Sequence, residues 1–444
     1  MLQYSFVMEY YFSSLPPSLF SRRWLLLSLV ALLGYLLLCF TLHRIFPAPN
    51  VIAIASLSFP RPQGELDSTP LAPAPSAAPQ VSHLALTANF PGNVSGEDSA
   101  EEKCNLFEGR WVHDPSRHPL YRSQRCPFLS DQVSCQKSGR PDSDYERWRW
   151  QPNGCDLPRF NGTETLERWR GKRVVVVGDS LNRNMWESMI CILYSAVRRK
   201  HVYVKDRSAE HKLFRALDYD CTVEFFWSPF LVELKERKGD RAKILHLDNL
   251  SASARFWRGA DVMVFNTGHW WTHNGKMRAW DYFQLREELT EEMEPAEAFN
   301  RALRTWARWV DRNVDPRQTA VFFRSISPEH KRENLQWCYN QTRPISDDER
   351  YVWQFPKSMV TLVERTLLRM RTPVRYLNVT RLSGFRRDAH TGVYTSRQGK
   401  LLTPEQRKEP ERFADCSHWC LPGLPDTWNE LLFASLLESS LTTS

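Results

Sequence analysis

The run Lys172-Arg173-Val174-Val175-Val176-Val177, followed at once by Gly178-Asp179-Ser180, carries the first structural signal in this chain of 444 residues. Four successive β-branched residues with no polar alternation read as a strand buried on both faces, the habit of parallel sheets. Residues 181–196 then show helical periodicity, so the Gly-Asp-Ser triplet falls at a strand-to-helix turn. Such a turn projects a serine hydroxyl from the sheet edge. It also sets that hydroxyl at a helix N-terminus, where free N–H groups and positive potential can hold an oxyanion. The same residues suit an ordinary N-cap, and G-x-S-x-G is absent, so the triplet alone does not decide.

Working outward, residues 222–227, 243–247, 262–266, 320–324 and 374–377 read as further strands. Residues 295–313, 358–371 and 427–437 read as helices, the first with Phe299, Leu303, Trp306 and Val310 on one face. Strands alternating with helices predict an α/β fold with a mostly parallel sheet covered on both sides. Sites in such sheets form outside the carboxyl ends of the strands.

Ahead of this core, Cys104, Cys126, Cys135 and Cys155 lie among turn signals and tryptophans. No C-x-x-C spacing occurs, which disfavours zinc and favours disulfides of unassigned pairing. Residues 43–102 are rich in Pro, Ala and Ser without hydrophobic period and predict a disordered stem. Before them, residues 24–42 carry no charge and are bounded by Arg22-Arg23 and Arg44. As a helix they span about 28 Å, enough to cross a bilayer and longer than a signal-peptide core. The expected organisation is a cytosolic tail at 1–23, an anchor at 24–42, a stem at 43–102 and a lumenal domain at 103–444. That domain divides into a Cys/Trp-rich portion, 103–170, and an α/β core, 171–444. Ala53-Ile54-Ala55 offers a competing cleavage site.

Composition agrees with a folded lumenal domain. Apolar residues make up 42% of the chain, enough for a large core and too many for wholesale disorder. Sequons at Asn93, Asn161, Asn249, Asn340 and Asn378, with nine cysteines beyond the anchor, fit the oxidising secretory pathway. A net charge of +8 favours acidic partners without choosing among them, and lumenal placement disfavours nucleic acid.

A serine nucleophile needs a base. Of the 12 histidines only His418 has an aspartate three residues earlier, in Asp415-Cys416-Ser417-His418. That spacing lets one turn set the carboxylate beside the imidazole, fixing its tautomer and stabilising the imidazolium. Ser180, His418 and Asp415 together describe an acyl-transfer site.

Four motifs, in order, resemble those of the plant trichome birefringence-like family of Golgi polysaccharide O-acetyltransferases. They are Trp148-Arg149-Trp150-Gln151-Pro152-Asn153-Gly154-Cys155, Val177-Gly178-Asp179-Ser180-Leu181-Asn182-Arg183-Asn184, Asn266-Thr267-Gly268-His269-Trp270-Trp271 and Asp415-Cys416-Ser417-His418-Trp419-Cys420. The N-terminal motifs look most like the xylan-acetylating branch. The resemblance implies a GDSL/SGNH-hydrolase-like three-layer sandwich with Ser180 as nucleophile, His418 as base and Asp415 orienting it. It also implies disulfides Cys104–Cys155, Cys126–Cys191, Cys135–Cys420 and Cys338–Cys416, leaving Cys221 free. The implied reaction is double displacement, from an acetyl donor (acetyl-CoA or an acetylated intermediate) to a wall-polymer hydroxyl, with no bound cofactor or metal. The setting is the Golgi membrane, single-pass with the catalytic domain lumenal, with donor-supplying proteins as further partners.

Asn266 ends a predicted strand and is a candidate oxyanion donor. Arg183, His269, Trp270 and Trp271 are candidate substrate contacts, the indoles by stacking on pyranose faces. Each has a plainer reading: a turn residue, an ion pair or core packing. An acetylesterase using the same three residues and a non-catalytic polysaccharide binder are the competing functions, since water can intercept the same acyl-enzyme.

Overall fold

The computed structural model describes residues 104–334, 336–346, 352 and 355–441. The expected anchor, stem and Asn93 sequon lie outside these residues. Among the described residues no helix is long and apolar enough to cross a membrane.

The valine run forms β1 (Arg173–Gly178) and runs straight into α2 (Ser180–Ser195), with α1 (Gly162–Arg168) ahead of both. The chain continues through β2 (Val202–Ser208), β3 (His211–Ala216), β4 (Cys221–Trp227) and β5 (Val262–Phe265). Helix α3 (Pro295–Asn313), β6 (Ala320–Arg324), α4 (Lys357–Arg369) and β7 (Val374–Leu377) follow. These strands make one seven-stranded sheet in the order β7-β6-β5-β1-β4-β3-β2. The five from β7 to β4 are mutually parallel, while β3 and β2 are antiparallel additions at one edge.

Strand alternation sorts the valines between two cores. Val174 and Val176 pack with α2 and the C-terminal helix α5 (Leu424–Leu441), whereas Val175 and Val177 face α3 and α4. All four are 0% exposed, which stabilises the fold by up to about 1.5–3 kcal/mol per side chain. Helix α3 buries Phe299, Leu303, Trp306 and Val310 as its periodicity predicts. The architecture is therefore helix layer, sheet, helix layer.

Two expectations need correction. Residues Lys243–Leu250 do form a strand, but in a separate four-stranded sheet with Val232–Glu236, Tyr282–Leu285 and Glu288–Thr290. Strands β2 and β3 depart from the expected set because Lys205, Asp206, Arg207, Lys212 and Arg215 interrupt their alternation: β2 is the exposed edge of the sheet and β3 lies next to it.

The Cys/Trp-rich portion is built on a hairpin of Asn105–His113 with Trp148–Asn153, closed by Cys104–Cys155. Cys126–Cys191 ties it to α2, and Cys135–Cys420 ties it to the segment after His418. Cys338–Cys416 is the fourth bridge, so the pairs are those the family resemblance implies. Cys221 is free and buried, and burial pushes its thiol up to about 12. Asn161, Asn249 and Asn340 are exposed, while Asn378 is half-buried.

Candidate active site

Strands β1 and β5 are parallel neighbours, with Val177 opposite Phe265, so Gly178-Asp179-Ser180 and Asn266 leave the sheet side by side. The chain departs from β1 toward β4 on one side and returns to β5 on the other, which opens a crevice at this rim. Gly178 has φ +153, and a Cβ there would lie 1.8 Å from Asn266 Oδ1, so only glycine lets the turn approach the asparagine. Asn266 Oδ1 accepts from the Asp179 N–H at 3.2 Å, and its Nδ2 donates to Asp179 Oδ1 at 2.9 Å. The same Asp179 oxygen accepts from the Leu181 N–H at 2.9 Å, capping α2. Asn266 thus holds the turn, and one hydrogen of its amide is committed to Asp179. Ser180 is half-buried, and its own N–H, first in the helix, has no intrahelical acceptor.

The Asp-x-x-His segment forms β9 (Asp415–Trp419), paired antiparallel with β8 (His390–Gly392). Asp415 Oδ1 accepts the N–H groups of Ser417 and His418, each at 3.0 Å, which folds the carboxylate back toward the ring. Its Oδ2 lies 2.7 Å from His418 Nδ1. An ionised carboxylate only accepts, so Nδ1 carries the proton and Nε2 is the basic nitrogen. Gln132 Nε2 also lies 3.2 Å from Nδ1, but an amide NH₂ gains nothing from a protonated nitrogen and counts as a neighbour of the ring edge.

Burial alone would lower the His418 pKa. The Asp415 charge and hydrogen bond outweigh it and hold the ring above its ordinary value. Burial likewise opposes ionisation of Asp415, yet His418 and the two backbone donors keep that carboxyl well below the usual range. Nε2 is shielded from solvent and has no hydrogen-bond partner among the described residues.

What brings the two segments together is Asn184, one turn beyond Ser180. It accepts from the Trp419 N–H at 2.9 Å and donates to the Trp419 carbonyl at 3.2 Å. The residue next to His418 is thereby clamped to the first turns of α2. Trp419 is 0% exposed, and the His390 ring stacks on it at 3.6 Å. Cys416 and Cys420, on either side of His418, are both cross-linked.

The other candidate residues separate clearly. Arg183 donates to Gln132 Oε1 at 2.5 Å and lies 3.8 Å from buried Glu187, so it holds the Cys-rich portion against α2. His269 is buried, with Nε2 on the Ser327 carbonyl at 2.8 Å and Nδ1 3.3 Å from Glu329. Glu329 also accepts from the Ser417 hydroxyl at 2.8 Å, and burial is outweighed there by His269 and Lys331, which keep it ionised. Trp271 is core, its Nε1 bonded to Thr267, whereas Trp270 is half-buried beside Trp227 at the same rim. Sequence reading missed Asn184, Gln132 and Glu329. Asn184 could have been flagged by its i+4 spacing from Ser180, while the other two carry no local signal.

Residues 157–435 match the GDSL/SGNH-like acyl-esterase family found in Pmr5 and Cas1p, and residues 102–156 match the PMR5 N-terminal domain. The chain belongs to this family. Within it, the trichome birefringence-like proteins are its relatives. Protein trichome birefringence of Arabidopsis thaliana is 42% identical over 372 residues, 81% of this chain and 60% of that protein. Protein trichome birefringence-like 3 of the same plant is 42% identical over 347 residues, 76% of this chain and 80% of that protein. Xylan O-acetyltransferase 6 of Oryza sativa subsp. japonica is 41% identical over 358 residues, 76% of this chain and 63% of that protein. The chain thus spans about three-fifths of the length of the first and the last of these.

Proposed function

We propose that this trichome birefringence-like protein is a polysaccharide O-acetyltransferase acting on a plant wall polymer, with xylan as the first candidate. The observation that carries the reading is the Asp415–His418 pair, its Nε2 unpartnered, clamped through Asn184 to the turn that presents Ser180. In the first half-reaction His418 Nε2 takes the Ser180 proton as Oγ attacks the acetyl carbonyl carbon. The tetrahedral oxyanion is held by the Ser180 N–H at the start of α2, with the uncommitted hydrogen of Asn266 Nδ2 as second donor. Collapse expels the donor's leaving group, which takes the proton from Nε2. In the second half, Nε2 removes a proton from a sugar hydroxyl, whose oxygen attacks the acetyl-serine carbonyl; as the intermediate collapses Nε2–H returns that proton to Ser180 Oγ and the acetyl ester departs.

Water competes at the second step. Transfer wins where the acceptor is held in line, because effective molarities of 10⁵ M and above exceed water's roughly 55 M. Trp270 and Trp227 at the rim offer ring faces for that hold. A xylan O-acetyltransferase among the relatives supports this substrate class. The four bridges suit the Golgi lumen proposed for the domain.

The deciding experiment is brief reaction of the protein with an acetyl donor, followed by peptide mass analysis and addition of deacetylated xylan. One acetyl group on the peptide containing Ser180, discharged onto xylan, is the expected result. A Ser180→Ala variant with undiminished transfer would overturn it, and discharge to free acetate alone would make the protein an esterase.

A further inference from the structure

Away from the strand-end rim, helices α3 and α4 enclose a trench of about 380 Å³, within the size range of ligand sites. Its lining combines apolar Ala307, Leu362 and Met370 with Arg304, Arg308, Arg365 and Arg369. Among the described residues Arg304, Arg365 and Arg369 have no hydrogen-bond or ion-pair partner, and Arg308 bonds only its own helix at Thr305. The one acid in the lining, Asp311, is already engaged: its Oδ1 accepts the N–H groups of Arg371 and Thr372 at 3.0 and 2.8 Å.

Exposed arginines elsewhere on the surface are mixed: Arg110, Arg117, Arg122 and Arg125 also lack a side-chain partner among the described residues, while others are paired. Arg168, Arg170 and Arg301 each pair with a glutamate three or four residues away, and Arg317 pairs with Asp315. In the trench the i,i+4 partners are instead arginines, 304 with 308 and 365 with 369, and like charges at that spacing destabilise a helix. Each pair is separated by about 6 Å along its axis. Two arginine pairs, one on each helix, in a trench that also has apolar lining match a linear polymer that carries carboxylates along its edges and apolar ring faces between them. The planar fork of arginine suits carboxylate in particular.

We propose that the α3–α4 trench binds a carboxylate-bearing glycan chain, held by Arg304, Arg308, Arg365 and Arg369. For the choice of a glycan this rests on the proposed acetyl transfer to a polysaccharide; the charge argument stands without it. A flat basic face would serve an anionic lipid surface equally well, but a trench between two helices favours a single chain.

The test compares full-length protein with an Arg304→Gln/Arg365→Gln/Arg369→Gln variant, whose changes are all exposed. The probes are oligogalacturonate, a neutral xylo-oligosaccharide of equal length and phosphatidylserine vesicles. Expected are oligogalacturonate binding that weakens steeply with salt, a loss of at least ten-fold in the variant, and unchanged acetyl transfer to the neutral oligosaccharide. Equal binding of charged and neutral probes, or an unaffected variant, would overturn the proposal. So would capture by vesicles without oligogalacturonate binding. Ser180→Ala should leave this binding intact, so failure of the transfer reaction and failure of the trench are read separately.

Discussion

At the scale of single residues, the site turns on the proton at His418. Its pKa is held above the usual imidazole value by Asp415, and as the proposed base it must be neutral to accept from Ser180. Transfer should therefore rise with pH through a midpoint above about 6.5. Asp415→Asn removes the charge but leaves the burial, so the midpoint should fall and the rate should drop by about 10²–10⁴-fold. A pH–rate profile in which the variant's midpoint matches the wild type would sink this account. Gly178 is the second decisive residue. Gly178→Ala meets Asn266 Oδ1 at 1.8 Å and should cost at least about 2 kcal/mol, measured by chemical unfolding.

Among the elements, the contact between α2 and β9 is carried by Asn184. Asn184→Ala would strand the buried N–H and carbonyl of Trp419, at about 1–3 kcal/mol for each group left unpaired. The prediction is a fall in the transfer rate larger than any change in acceptor KM, because Trp419 adjoins His418 and not Trp270 or Trp227, the proposed acceptor contacts. The first turn of α5 holds a further titrating group. Asp426 is pushed up to about 7, chiefly by burial, while accepting from Ser188 and the Gly423 N–H. A raised folded pKa means the native state keeps a proton that the unfolded chain has lost. This contribution to stability is full below about pH 4 and disappears as the pH rises through about 7. Asp426→Asn, which mimics the protonated acid, should flatten the fall in stability between about pH 4 and 7, by a few kcal/mol on denaturant titration. An unchanged slope would place that titration elsewhere.

For the whole molecule, the Cys-rich portion is part of the site's frame. Gln132, from that portion, lies against His418, and its carbonyl accepts from the Thr395 hydroxyl at 2.9 Å. The Leu421 N–H bonds the Val133 carbonyl at 3.0 Å. Cys135–Cys420 closes a sequence separation of 285 residues around all of this. Replacing both cysteines by serine should destabilise the domain by about 2–5 kcal/mol. Transfer should fall further than the folded fraction does, since the bridge ends two residues from His418; proportional losses would make the bridge purely structural.

The sequence by itself determined the features that are local: the all-valine strand, the glycine turn, the helix face of Phe299, Leu303, Trp306 and Val310, and the three-residue reach of Asp415 to His418. Each is written in adjacent residues because backbone periodicity and turn sterics act over a few positions. The edge strand β2 and its neighbour β3 escaped because solvent exposure there permits charge in place of alternation. Only tertiary structure decided that Asn266 is spent partly on Asp179, that Asn184 grips Trp419, and that Gln132 and Glu329 stand against the His-bearing strand. Those partners are 87 to 286 residues apart. Packing across the sheet and the disulfides sets such contacts, and no short-range pattern encodes them.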